Sequence, residues 1–342
     1  QPPIEVPQGA IRLNTDSQKL EFFAQDRWYE FATDSPLLAE SGDNGAGARG
    51  IFGTGTTPGT NDFMGFVNIA SAGNEQDFGD AVAQIQGASA GLSSRTRGIF
   101  AGGQQSSPYD QIHYVTIAQK GDSIDFGDLT RGTRFAMGSS NQTRGIIAGG
   151  MDQPSDNRVN TTEFVTIAST GNGLDFGDLT VNRAQARGVS NGTRAIFACG
   201  QSPTKVNTID FFTIGTLGNA SDFGDSTIAT DGQASGCNAI RGIYAGGAPA
   251  GNDDQKVIEF ITMATKGNAT NFGELSVQRS FAAGVSSPTR TVFAGGYTNP
   301  AATHTTTIDY INNMTEGNAI DFGDQSVNRD QMGSFSNAHG GL

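Results

Sequence analysis

One seven-residue phrase, Arg241-Gly242-Ile243-Tyr244-Ala245-Gly246-Gly247, constrains this chain more than any other feature. Near-copies begin at Arg49, Arg97, Arg144, Arg194 and Arg290, and a stub, His339-Gly340-Gly341-Leu342, follows the last of them. The starts lie 48, 47, 50, 47, 49 and 49 residues apart. A second marker keeps step: Asp77-Phe78-Gly79-Asp80, Asp125-Phe126-Gly127-Asp128, Asp175-Phe176-Gly177-Asp178, Asp222-Phe223-Gly224-Asp225, Asn271-Phe272-Gly273-Glu274 and Asp321-Phe322-Gly323-Asp324. A fixed period of this size is the signature of a repeat architecture.

The third copy shows what one unit contains. Ile146-Ile147-Ala148 is a short apolar strand halted by Gly149-Gly150, and a polar, variable loop runs from Met151 to Asn160. Thr162 to Ala168 reads as a second strand, Gly171-Asn172-Gly173 as a turn, and Asp175 to Leu179 as an outer segment with one aromatic anchor. Arg183 leads into the small-residue strand Gly188-Val189-Ser190, and Asn191-Gly192 turns into the next copy, a strong hairpin signal. Four short strands per repeat is the content of one β-propeller blade. A solenoid would need polar caps at both ends, and the ends here are complementary instead. Counting back six residues from each repeat Arg gives Gly91, Gly138, Gly188, Ser235 and Gly284, and from His339 gives Gly333. The same count from Arg49 reaches only Asp43. The first unit lacks its small-residue strand, and Met332–Asn337 is a spare. The expected fold is all-β: a six-bladed β-propeller over 49–342, closed by shared strands so that no sheet edge stays free. With 48 glycines the chain carries about twice the usual share, roughly 7%, as tight turns at every repeat require.

Residues 1–34 form a different module, joined through a linker at 35–48. Ile11 and Leu13 alternate with polar residues, Leu20-Glu21-Phe22-Phe23 is a second strand and Trp28 to Phe31 a third, with turn chemistry between them. A β-meander this small is not stable alone. Phe22, Trp28 and Phe31 must be buried on the main unit, on copies of the leader, or on another subunit, and the last two make it an attachment module.

Two resemblances follow. The repeat resembles the kelch unit in Gly246-Gly247 after an apolar strand, Phe260 in the next strand, Phe272 as outer anchor and Arg279 before the innermost strand. It departs from kelch in carrying Phe-Gly where Trp is expected and an acidic residue just before the strand aromatic. The exact phrase and the Asp-Phe-Gly-Asp marker also look like repeats in structural proteins of marine and cyanobacterial phages. The leader, Gly9-Ala10-Ile11-Arg12-Leu13-Asn14-Thr15 with Leu20-Glu21-Phe22 and Trp28, is similar to a short module common in phage tail-fibre and appendage proteins. These resemblances imply a non-enzymatic structural or display protein of a phage virion, held by residues 1–34 to other virion proteins or to itself as a homo-oligomer or part of a larger assembly, its propeller facing outward. The other reading is a secreted or surface bacterial propeller that binds carbohydrate.

Asp-Phe-Gly is also the magnesium signature of protein kinases, but here it occurs six times without a phosphate loop or a catalytic His-Arg-Asp. No catalytic constellation, metal cluster or cofactor motif is legible. Calcium at the Asn219…Asp222…Asp225 turns fits no known loop spacing. A net charge of −13 argues against nucleic acid as partner, and no apolar run approaches the about 20 residues of a membrane span. Cys199 and Cys237 read as small buried thiols, with a disulfide as the alternative. The loops after each Gly-Gly vary while the strands do not, and such a face is often the binding face. Its aromatic candidates for stacking on a host sugar or peptide are Tyr109, His113, Tyr297 and His304. Arg134, Arg183, Arg279 and Arg329 are candidate cations around a channel mouth, or else bond turn carbonyls between blades.

Overall fold

The computed structural model describes residues 6–14, 19–30, 48–57, 59–85, 89–105, 109–251 and 253–342. The chain divides into two compact units, 1–46 and 47–342. Both are antiparallel β-structure, and among the described residues no helix is long and apolar enough to cross a membrane.

The first unit is a three-stranded meander of β1 (Ile11–Asn14), β2 (Lys19–Ala24) and β3 (Arg27–Glu30). Its register sorts the side chains by face. Ile11 lies opposite Phe22, Leu13 opposite Leu20, and Phe22 opposite Tyr29, so these residues share one face. Arg12 opposite Glu21, and Phe23 opposite Trp28, make up the other.

The second unit contains six four-stranded sheets. Sheets 2 to 6 each follow the chain. Their first strands are Ala90–Ser93, Met137–Ser140, Arg187–Ser190, Ala234–Cys237 and Ala283–Ser286. The second strand of each is a copy of the repeated phrase, and the fourth carries the Asp-Phe-Gly marker. Sheet 1 is assembled from both ends of the unit: Gly333–Ser336 pairs with Arg49–Gly53, which pairs with Phe63–Asn68 and then Gln76–Asp80. One detail of the repeat count is corrected here. In sheets 3 and 4 the counted residues Gly138 and Gly188 face Ile147 and Phe197, but in sheet 1 the residue facing the corresponding Phe52 is Ser334, not Gly333.

Six buried clusters hold the sheets, each formed between two successive ones. Sheets 3 and 4 share Met137, Ile146, Phe176, Phe197, Phe212 and Ile214. Sheets 6 and 1 share Phe52, Val67, Val285, Val292, Phe322 and Met332. The marker works through a β-bulge. In sheet 3, Thr162 faces Gly177 and Glu163 faces Asp175, so Phe176 is skipped by the ladder and turns into the core against Phe212, ring centroids 5.4 Å apart. Gly177 follows at φ +143°, with the Gly218 carbonyl where a Cβ would stand, which is why Gly is needed there.

Each repeat Arg bridges in the same sense. Arg144 lies over Phe164 of its own sheet at 4.6 Å and donates to the Ile214 carbonyl of the next at 2.7 Å. Arg290 of sheet 6 lies over Tyr310 and donates to Ala70 of sheet 1 at 2.7 Å. At the end of the first strands a second set of bonds runs the other way. Ser190 Oγ donates to the Ser140 carbonyl (2.6 Å), Ser140 Oγ to Ser93 (2.8 Å), Ser93 Oγ to Ser336 (2.7 Å) and Ser336 Oγ to Ser286 (2.6 Å). Ser286 Oγ accepts from the Cys237 amide at 3.0 Å.

Candidate functional site

The first strands of all six sheets contribute to the lining of one cavity, with residues such as Leu92, Ser139, Val189, Ser235, Val285 and Phe335 on its wall. The variable loops connect second to third strands, and they lie at the end of the sheets where the first strands begin.

Three of the arginines expected around a mouth are elsewhere. Arg183, Arg279 and Arg329 are fully buried at 0% exposure. Arg183 Nη2 pairs with Asp210 Oδ2 at 3.0 Å, and the guanidinium donates to the carbonyls of Phe197, Cys199 and Thr208 at 2.7–3.1 Å. Arg279 pairs with Asp309 at 2.9 Å, and Arg329 pairs with Glu75. These partners belong to the same sheet as each Arg, so the groups staple one sheet rather than bond turns between blades. Burial pushes all three guanidinium pKa values down and the facing carboxylates oppose it. The acidic residue just before the strand aromatic, the departure from kelch, is the acceptor in sheets 4 and 6; a Ser or Thr following the marker of the preceding sheet also donates to it, Thr180 Oγ1 to Asp210 at 2.6 Å and Ser276 Oγ to Asp309 at 2.7 Å. Arg134 is one residue out of this register. Thr133 fills the buried place, and Arg134 is half-buried, paired with Asp156 Oδ1 at 2.9 Å and bonded to Gln104.

The aromatic candidates separate into two pairs. Tyr109 and His113 are buried, at 5% and 1% exposure, and bond each other through the Tyr hydroxyl and His Nε2. His113 stands opposite Phe100, where Asp210 stands opposite Phe197, so it occupies the acceptor position of its sheet. Burial lowers the His113 pKa and raises that of Tyr109, and both remain uncharged. This corrects their expected role as a stacking surface for a sugar. Tyr297 and His304 do come together near solvent. They face each other across a two-residue ladder with rings edge-on at 5.4 Å, and His304 Nε2 lies 3.6 Å from Asp330 Oδ1. A groove lined by Thr298, Thr303, Thr305, Ser326 and Asn328 runs beside His304.

Asp330 gives this cluster a pH signature. Burial pushes its carboxyl up from 3.8 to about 6, with His304 opposing. A folded pKa above the unfolded one means the unfolded state releases its proton first, so stability falls as pH rises from about 4 to about 6. Melting curves of the wild type and Asp330→Asn across that window should therefore diverge, the wild type losing ground as pH rises. Parallel curves would show that the carboxyl titrates normally.

Cys199 and Cys237 are free and buried, and burial pushes the Cys199 thiol up to about 12, which keeps it unreactive. Cys199 takes φ +62°, matching Gly246 at +65° in its place of the repeat. At the Asn-containing turns, Asn219 Oδ1 already accepts from the Asp178 amide of the preceding sheet at 3.1 Å. Among the described residues no group of three or more His, Cys, Asp or Glu is placed to hold a metal ion. Phe31, the third expected attachment residue, lies outside the described residues, as does nearly all of the 35–48 linker.

One residue of the cavity escaped the sequence reading. Arg187 lines it at the end where the first strands begin, at a position filled by Ala90, Met137, Ala234, Ala283 and Gly333 in the other sheets. Aligning the copies by strand register would have exposed it as the odd residue. Its Nε donates to the Gln233 carbonyl at 2.5 Å and Nη2 reaches the Ala282 carbonyl at 3.5 Å. Burial pushes its pKa down to about 10, which leaves it charged at neutral pH. At the opposite end of the strands, His339 Nε2 sits 3.3 Å from Ser140 Oγ and 3.4 Å from the Ser93 carbonyl, and burial pushes its pKa down to about 4. Compared with known proteins, the chain matches no family model and no curated protein sequence.

Proposed function

We propose that this chain is a non-enzymatic structural display protein of a tailed-phage virion. Residues 47–342 act as a closed, six-bladed, kelch-like propeller, and the leader attaches it to a neighbouring virion protein or to further copies of itself. Closure is supported by the pairing of Gly333–Ser336 with Arg49–Gly53, by the clusters that join sheet 6 to sheet 1, and by the bond series through Ser93, Ser336 and Ser286. The phage setting rests on the two sequence resemblances. The variable loops then face outward, and the solvent-reachable pair Tyr297 and His304 is the part of that face suited to a host-surface glycan.

The observation that carries attachment is the bare face of the leader. Ile11 is 65% exposed, Leu13 60% and Leu20 48%, and all three share that face with Phe22 and Tyr29. An apolar sheet face of this kind is normally covered by a partner. Trp28 is less suited to the role. It is half-buried on the other face, with Phe23 at 5.3 Å and the Arg12 guanidinium 4.1 Å above its ring. The attachment surface therefore shifts from Trp28 to Ile11, Leu13 and Leu20.

Removing residues 1–34 should leave a folded, monomeric propeller that no longer joins the particle. Leu13→Asp combined with Leu20→Asp should reproduce the loss without lowering the melting temperature of the remainder, read by sedimentation and calorimetry. Normal assembly of the trimmed protein would sink the attachment role.

A further inference from the structure

Arg187 is the feature that a purely structural propeller does not require. Five of the six sheets place an uncharged small residue or Met at its position, and the strand pairs equally well with them. The chain as a whole is acidic, at net −13, so a half-buried cation facing this cavity runs against the general charge. Unlike Arg183, Arg279 and Arg329, it forms no ion pair among the described residues. Two carbonyls take two of its N–H groups, one of them at the 3.5 Å limit of a hydrogen bond, and among the described residues Nη1 has no partner. Withdrawing a cation even partly from water without a counter-charge carries a cost, and a guanidinium presents a planar fork suited to two oxygens of one anion.

A second observation points into the same cavity. Ser89 lies just before the first strand of sheet 2 and lines the cavity with Arg187. It is 3% exposed, and among the described residues its Oγ has no hydrogen-bond partner. The other hydroxyls on this wall are used: Ser139 bonds the Val189 carbonyl, Ser235 that of Gly188, and Ser334 that of Gly284, at 2.9–3.0 Å. An orphaned buried hydroxyl from sheet 2 and an uncompensated guanidinium from sheet 4, lining one cavity, are complementary to the same kind of guest, one with negative oxygens.

We propose that this cavity, entered from the variable-loop side, binds a small oxyanion, with Arg187 as its charge partner and Ser89 as an additional donor. The anion is either a free inorganic ion or the acidic group of a larger ligand that reaches in past the loops. The site does not depend on the attachment role of the leader.

The test is titration calorimetry of the full chain with sulfate, phosphate, acetate and glucuronate, each against chloride at equal ionic strength. At least one oxyanion should bind, and Arg187→Met should weaken it tenfold or more, with Ser89→Ala weakening it less. Stronger binding of sulfate or phosphate identifies a tetrahedral ion or ester as the guest, and stronger binding of glucuronate an acidic sugar or similar carboxylate. Arg187→Lys covers the case in which the Met variant folds poorly: it keeps the charge but loses the fork, and should retain partial binding. Absence of binding by all four anions, or equal binding by wild type and a folded Arg187→Met protein, would overturn the proposal.

Discussion

A chain cut after residue 331 should aggregate under conditions in which the full chain stays soluble. The cut removes Gly333–Ser336, the first strand of sheet 1, and leaves one side of Arg49–Gly53 without its ladder. An unpaired edge of this kind is a template for another chain. The loss extends beyond one strand. Met332 and Phe335 leave two of the inter-sheet clusters, and Ser93 loses the Ser336 carbonyl as acceptor. Phe335 lies 4.7 Å from Phe100 of sheet 2, ring to ring, so both flanks of sheet 1 are opened together. Light scattering and size-exclusion chromatography decide the matter. A truncated protein that remains monomeric with an unchanged melting temperature would show that sheet 1 needs no strand from the chain end.

Phe176→Ala should cost about 3–5 kcal/mol of stability, the usual range for truncating a fully buried ring. Phe176 is 2% exposed and touches rings on both sides of a sheet junction, Phe164 at 5.9 Å and Phe212 at 5.4 Å. The surrounding strands are fixed by ladders and by the Arg144 bridge to Ile214, so they cannot collapse into the hole. Denaturant unfolding gives the number. A loss below about 1 kcal/mol would mean that the bulge relaxes and the ring contributes little.

Much of the architecture could be read from the repeat because period, turn residues and apolar runs are local and recur. The strand content of each unit, the spare strand at the chain end and the inward Phe of the marker all follow from local pattern. Side-chain partners do not, because they depend on register at single-residue precision. Arg134 and Arg183 look equivalent by eye, but only Arg183 stands five residues before the cavity glycine of its sheet, and Thr133 holds that place before Gly138. That one-residue offset moves a guanidinium from a buried ion pair to a half-exposed loop contact. Tyr109 and His113 misled for a related reason: they flank a variable loop in sequence, yet His113 belongs to the strand and takes the place of a buried carboxylate. Arg187 is not legible from the period because it sits beside a repeat glycine and has no charged counterpart in the other copies.

The strand shared between the two chain ends also decides how this molecule bears load. Tension carried along the backbone reaches the strand Arg49–Gly53 at Arg49, whose amide donates to Asn337 Oδ1 at 2.8 Å. Arg49–Gly53 is not an edge: it lies between Gly333–Ser336 and Phe63–Asn68, hydrogen-bonded on both sides. Tension cannot peel it off one bond at a time from a free margin; it must shear two ladders at once. A chain pulled from its leader would therefore be gripped at a strand bonded on both sides.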